Sequence, residues 1–524
     1  MHWWHTTRGR DRARRSFRPA ALARPRLAVL GIAFLAVCLP LVAEGWPFGL
    51  EQVASRAEKL SRVPFRDPRG HVPEWLLKIT YDQWRDIRFR PERSLWRDRR
   101  MPFRIQFFHP GLFYDRSVVV NVVDSDGVRP LEFSPNQFDY GKNEFSSRVP
   151  QDLGYAGLRI HYPIKSPDYY DEVIVFLGAS YFRAVGMEQG FGASARALGI
   201  NTALSSGEEF PFFREFWLVR PAPGASELTV LALLDSQSLT GAYRFVVRPG
   251  EQTVVSVEAR LFRRREVEKL GIAPLTSMFF FGENTARSFD DYRPEVHDSD
   301  GLLMASSTGE WIWRPLDNPR RLRVSAFVAS DPKGFGLIQR DRNFDHYQDL
   351  ETRPELRPSV WVTPRGNWGA GRVELVEIPS HADTNDNVVA FWVPKTPAPP
   401  GEPVSFSYNT YWYGDDPSRP PGGRTVATRR DHPDGDADRF VVDFTGKQLA
   451  ALSPESVLRG VTTVSSGGSE AEVIEQHVQA NPETQGWRLV FQVRPLADEP
   501  VQLRAFLQQK QDALTETWSY VTEP

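Results

Sequence analysis

Residues 373–394 read VELVEIPSHADTNDNVVAFWVP. Arg372–Ile378 and Val388–Val393 are β-branched and aromatic runs of strand length, separated by nine residues. A tight hairpin closes with about two to five residues. The pair therefore predicts neighbouring strands joined by a long polar loop, and a β fold around them. The loop holds His381, Asp383, Thr384, Asn385, Asp386 and Asn387. Two readings fit these residue types. Short acceptor side chains bond their own backbone and make turns; the same side chains on a long loop suit a ligand-facing site.

The strand texture extends in both directions. Phe103–Phe108, Ser117–Val123, Glu172–Phe176, Glu215–Val219, Leu228–Leu234, Ala242–Val247 and Thr253–Leu261 are short runs between Gly, Pro, Asp and Ser clusters. No long helices alternate with them, which predicts an all-β antiparallel sandwich and not a parallel α/β sheet. Leu50, Val53, Ala54, Ala57 and Leu60 recur at helical spacing and predict a short amphipathic helix; Pro73–Phe89 is read as a second. Residues 414–438 hold Pro417, Pro420, Pro421, Gly422 and Gly423 without apolar periodicity, so they read as a linker. Beyond them, Arg439–Phe444, Val457–Ser465, Ala471–Val478, Trp487–Val493, Val501–Leu507 and Thr515–Val521 have the size and rhythm of an immunoglobulin-like sandwich. The expected organisation is a large β domain over 44–413, the linker, and a small β domain over 439–524.

Residues 1–43 differ from the rest. Eight arginines precede Leu27–Ala43, a charge-free apolar run of 17 residues. Leu41 and Ala43 suit the −3 and −1 positions of a secretory signal cleaved after Ala43. The alternative, an uncleaved anchor helix, sits at the lower limit of length for a bilayer and is interrupted by Pro40. Arg14-Arg15 hints at twin-arginine export, but its distance from the apolar run favours the general secretory route. The single cysteine, Cys38, lies inside this segment, so the expected mature chain has no disulfide and no thiolate nucleophile or metal ligand.

Taking the eight arginines and Asp11 from 64 basic and 66 acidic residues leaves residues 44–524 at a net charge of −9. That balance argues against holding nucleic acid by phosphate neutralisation. The chain has no G-x-S-x-G elbow, H-E-x-x-H pair, Walker loop or dinucleotide fingerprint. Asp383 opens a calcium-loop-like spacing, yet Val388 stands at the glycine position and Pro394 at the bidentate glutamate. The ten histidines show no metal-ligand spacing. No metal and no cofactor are expected, and carboxylates remain as the chemistry-bearing groups.

A second polar concentration, YRPEVHDSDG (292–301), contains Arg293, Glu295, His297, Asp298 and Asp300. Trp311 and Trp313 follow on one face of an extended run, then Arg340, Tyr347, Trp361 and Trp368. Two indoles at this spacing serve a core or a platform. Saccharides are bound by such mixtures, with C–H faces on aromatic rings and hydroxyls on paired acceptors and donors. Glycosidic bonds break between two carboxyl groups, one protonated and one ionised.

The blocks SSGEEFPFFREFW (205–217), LLDSQSLTGAYRF (233–245), LGIAPLTSMFFFG (270–282), YRPEVHDSDG, GEWIWRPL (309–316), GFGLIQRDRNFDHYQD (334–349), LRPSVWVTP (356–364), VELVEIP and TNDNVVAFW resemble the periplasmic glucan biosynthesis proteins of the G and D types. The resemblance runs from about Phe48 to the final WSYV. It implies a periplasmic protein with a mutarotase-like β-sandwich and an immunoglobulin-like domain, acting in the synthesis of glucans with a β-1,2-linked glucose backbone. It also implies inverting endo-β-1,2-glucanase activity, with the acid at the Asp of T-N-D-N, here Asp386, and the base at the first Asp of H-D-S, here Asp298. Asn385 and Asn387 would orient the acid and are also expected to contact the glucan. Arg293, Glu295, His297, Trp311, Trp313, Tyr347 and Trp361 are the expected glucan contacts. Where an aromatic is expected after Arg353, this chain has Pro354. The rival expectation is a non-catalytic glucan-binding factor that assists the inner-membrane glucosyltransferase. A sugar epimerase is weaker, since a shared sandwich does not transmit chemistry.

Overall fold

Along Thr253–Arg263, buried side chains alternate with half-buried ones, the period of a strand with one face inward. That alternation recurs through a computed structural model describing residues 48–97, 101–285, 290–396, 401–433, 437–465, 471–495 and 499–522. The expected signal at 1–43 lies outside these residues. The described chain is mostly strand, and the all-β expectation holds.

Two large sheets face each other. One has ten strands and contains Ala370–Glu377 and Val388–Pro394 as neighbours, with Leu270–Ser277 paired on the far side of Val388–Pro394. The other has fifteen and contains Leu228–Asp235, Leu239–Arg248, Thr253–Arg263 and Val404–Tyr413 in sequence. Phe176, Phe213, Phe245, Leu275, Trp392 and Trp412 are among the buried apolar residues between them. The first helix, α1 (Leu50–Ser61), covers the outer face of the larger sheet by burying Val53, Ala54 and Ala57 beside Trp217.

The expected helix at Pro73–Phe89 is instead two short ones, α2 (Glu74–Leu77) and α3 (Tyr81–Arg85), followed by a two-residue strand, Arg88–Phe89. Thr80 is the reason: its side chain accepts from the Gln83 N–H and starts a new helix there.

Residues 414–438 are not simply a linker. Arg424–Asp431 is a strand paired antiparallel with Asp438–Thr445. Its buried positions, Thr425 and Thr428, are polar, so apolar periodicity could not reveal it. It lies in a four-stranded sheet with Asp438–Thr445, Gly486–Pro495 and Ala471–Asn481. The remaining C-terminal strands extend the fifteen-stranded sheet through a parallel pairing of Thr517–Thr522 with Trp311–Pro315.

This continuity decides the fate of the tryptophans. Trp313 and Trp361 are buried in a second core with Phe440, Phe491 and Trp518, while half-buried Trp311 packs on it, stacked 5.5 Å from Trp361. The expected sugar platform is core packing between the sheets. Extended-chain spacing placed two indoles on one face but could not say what that face meets.

Candidate active site

The nine-residue loop is closed at its base by the Ile378 N–H, which donates to the Asn387 carbonyl at 2.9 Å. Asn387 is buried and fully engaged: its Oδ1 accepts from the Phe279 N–H at 2.8 Å, and its Nδ2 donates to the carbonyls of Phe279 and Ile378. The Asn387 side chain therefore anchors the loop and has no free group for a glucan. On the other limb, Ser380 and Asn318 exchange hydrogen bonds, Ser380 N–H to Asn318 Oδ1 and Asn318 Nδ2 to the Ser380 carbonyl. Between these anchors Thr384, Asn385 and Asp386 are exposed.

The same anchor brings the second motif alongside. Phe279–Phe281 pairs with Val296–His297, Phe279 opposite His297, and the Asp298 N–H donates to the Met278 carbonyl at 2.8 Å. Asp298 is thus delivered to the base of the loop that carries Asp386. Three arginines connect the two. Arg357 forms a close ion pair with Asp298 Oδ1, and it feels the charges of Asp386 and Asp383. Arg183 lies 3.4 Å from Asp386. Arg293 bonds Asp291, Asp349 and Asp383, tying the loop to the segments on both sides. Burial and the neighbouring Arg183 pull Arg357 down to about 10, against the opposing pull of Asp386 and Asp383. A guanidinium so crowded by its own kind is held by carboxylates.

Behind Asp298 the expected contacts Glu295, His297 and Tyr347 are buried. His297 Nε2 faces Glu295 at 2.9 Å and Asp300 at 3.6 Å, and its Nδ1 faces Gln339 at 3.2 Å. The ring stacks on Phe279 and meets Tyr347 edge-on. Tyr347 Oη accepts from Gln339 at 2.8 Å. None of the three is placed to touch a glucan; they form a support beneath the site. Burial alone would lower His297, but Asp300, Glu295 and Glu283 outweigh it and raise the ring to about 9. Glu283 is raised to about 8, chiefly by burial and then by Glu295. Asp300, the second aspartate of the HDSD run, accepts from the Arg340 and Asp341 N–H groups through Oδ2 while its Oδ1 faces His297.

Of the expected residues, then, Asn385 and Asp386 are exposed on the loop, Arg293 is half-buried beside it, and Asp298 is buried against Arg357. Glu295, His297, Tyr347 and Asn387 are buried beneath the loop, and the tryptophans lie in or against the second core. Arg357 and Arg183 were missed. Arg357 stands inside LRPSVWVTP, but nothing in residue type signals a pairing that only the sheets create. Pro354 is buried and opens a short 3₁₀ turn, Pro354–Leu356, after Arg353 in the left-handed region (φ 47°).

A family model described as "Periplasmic glucan biosynthesis protein, MdoG" matches residues 48–522. The chain belongs to the periplasmic glucan biosynthesis family. Its relatives include the "Glucans biosynthesis protein G" of Ralstonia nicotianae, 50% identical over 488 residues, which are 91% of this chain and 96% of that one. The proteins of the same name from Pseudomonas paraeruginosa and Pseudomonas aeruginosa are each 44% identical over 512 residues, 95% of this chain and 97% of theirs. The match to this periplasmic glucan biosynthesis family covers nearly all the described residues and both polar motifs. Among the described residues no helix is long and apolar enough to cross a membrane.

Proposed function

We propose that this member of the periplasmic glucan biosynthesis family is an inverting endo-β-1,2-glucanase that acts on the glucan backbone in the periplasm. The observation that carries the reading is the convergence of Asp298 and Asp386, from distant segments, on one cluster of arginines. In this scheme Asp386, on the exposed loop, donates its proton to the departing glycosidic oxygen. Asp298, ionised against Arg357, takes a proton from the attacking water on the opposite face of the sugar. Two carboxyl groups with water between them invert the anomeric carbon; closely set ones form a covalent intermediate and retain it. Arg293 and Arg183 hold the loop charge in place, and glucan hydroxyls find acceptors in Asp383 and Asn385.

One observation favours a second reading, a glucan-binding factor that assists the inner-membrane glucosyltransferase. Arg357 lies directly on Asp298, so the base is covered until that side chain moves, and Pro354 offers no hydroxyl to relay a proton. The deciding experiment incubates purified protein with linear β-1,2-glucan and follows reducing ends and their anomeric form. The hydrolase shortens the chain internally and releases α-configured ends first, and Asp298→Asn abolishes this while glucan still raises Tm. Wild-type protein that gains Tm with glucan but never shortens it establishes the binding factor.

A further inference from the structure

Between Arg85 and Arg97 five arginines, at 85, 88, 90, 93 and 97, stand against Asp86 and Glu92, in a chain whose residues 44–524 are net acidic. Arg85, Arg88, Arg93 and Arg97 are exposed. Three of the five, Arg85, Arg88 and Arg90, line one side of a groove of about 490 Å³, and Arg159 enters it from the Gly157–Ser166 strand. Glu92 and Asp139 are its carboxylates. Arg159 is paired with Glu172 at 2.9 Å and lies 5.2 Å over the Phe108 ring, and Arg88 lies 3.9 Å from Asp86. The groove is therefore a cationic recess with an aromatic wall of Trp84 and Phe108.

Exposed aromatic rings flank it. On α3, Tyr81 shares a face with Trp84 and Arg85 and is 59% exposed. Trp84 lies 4.9 Å from Tyr114, whose neighbour Phe113 stands at the tip of the 111–114 turn and is 79% exposed. That turn is seated on α2 by the Leu112 N–H, which donates to the Leu76 carbonyl. Rings proud of the surface beside a row of guanidiniums match the interfacial zone of a bilayer, where aromatics sit at headgroup level and cations pair with phosphates.

We infer that this face is a docking surface for anionic phospholipid headgroups. The inference is independent of the hydrolase reading, because the groove shares no residue with the Asp298–Asp386 cluster. Charge complementarity selects the occupant: the patch is basic on an acidic molecule, so an anionic membrane turns this face inward. Each basic residue near such a surface is worth about fivefold in partition, and the attraction fades within a Debye length.

The test is flotation of the mature protein with phosphatidylglycerol–phosphatidylcholine vesicles and with phosphatidylcholine vesicles alone, at low and high salt. Binding is expected only to the anionic vesicles, and salt should reverse it. Arg85→Glu/Arg88→Glu/Arg93→Glu should weaken it by at least about 100-fold, with Tm and glucan binding unchanged. Tyr81→Ser/Phe113→Ser should weaken it at constant charge. Equal binding to both vesicles, no binding to either, or binding of inorganic phosphate without vesicle binding overturns the proposal. If the triple variant fails to fold, the salt dependence and the aromatic pair still decide it.

Discussion

Asp386 is exposed on a loop fixed at both ends, with one arginine 3.4 Å away. A proton donor in that position must lose and regain its proton each turnover, and access to solvent lets it do so. Asp386→Asn keeps the size and most hydrogen bonding but has no carboxyl proton to give. Turnover of β-1,2-glucan is expected to fall by about 10²-fold or more, with little change in glucan affinity. Steady-state kinetics and ligand-induced Tm shifts check the two halves, and wild-type turnover in the variant removes Asp386 from the acid role. Arg357 has the opposite character. Its side chain is only 13% exposed and lies against Asp298.

At the level of elements, the loop exists because its two limbs are pinned and its middle is not. Asn387 makes three buried hydrogen bonds to the backbone of the Phe279 and Ile378 segments. Asn387→Ala leaves those groups unpaired, at about 1–3 kcal/mol for each unsatisfied partner. A total loss of at least about 3 kcal/mol is expected in denaturant unfolding, with glucan turnover reduced as the loop loosens. An unchanged midpoint would show that the loop holds without this anchor. Asn387 also shows how far the sequence could be read. Strand positions were legible throughout, since β-branched and aromatic runs recur with a period of two. Family likeness alone singles out Asp298 and Asp386 as candidates, because short acceptor residues suit a turn equally well. Asn387 was expected to face ligand, and Trp311, Trp313 and Trp361 likewise. Burial depends on which strand lies opposite, and that is set by pairings such as Trp313 with Trp518, more than 200 residues apart. The strand at Arg424–Asp431 was hidden for a related reason, as its inward positions are the threonines Thr425 and Thr428, and Thr428 Oγ1 accepts from the Trp518 indole 90 residues away.

Across the molecule, the C-terminal strands are bound to the site by buried charge. Arg340 pairs with Glu516 at 2.6 and 2.9 Å and lies 3.6 Å over the Trp313 ring, and Glu516 also accepts from the Thr425 N–H. Removing one partner of a buried pair costs about 3–5 kcal/mol. Glu516→Gln is expected to lower stability by that order while unfolding stays a single transition, because the second core draws residues from both before and after the 414–438 segment. Two separated transitions in calorimetry would contradict this.

The same junction carries a pH dependence. The Thr428 N–H donates to Glu283, which faces Glu295, His297 and Asp300 beneath the candidate site. Burial and Glu295 raise Glu283 from 4.5 to about 8, so the folded state keeps a proton that the unfolded chain releases. His297 is raised from 6.5 to about 9 by Asp300, Glu295 and Glu283 against its burial, with the same sense. In both cases the native state binds more protons, and stability falls as pH rises. The Glu283 contribution is complete below about 4.5 and lost by about 8; that of His297 is complete below about 6.5 and lost as pH passes about 9. The carboxylates held below their usual range, such as Asp349 and Asp443, act in the opposite sense and have delivered their stability once pH exceeds about 4. Tm is therefore expected to decline between about pH 5 and pH 9. Glu283→Gln should flatten the lower part of that decline, since an amide holds no titrating proton. A Tm that rises over this interval, or a decline untouched by the substitution, would mean that the cluster does not share its protons in this way.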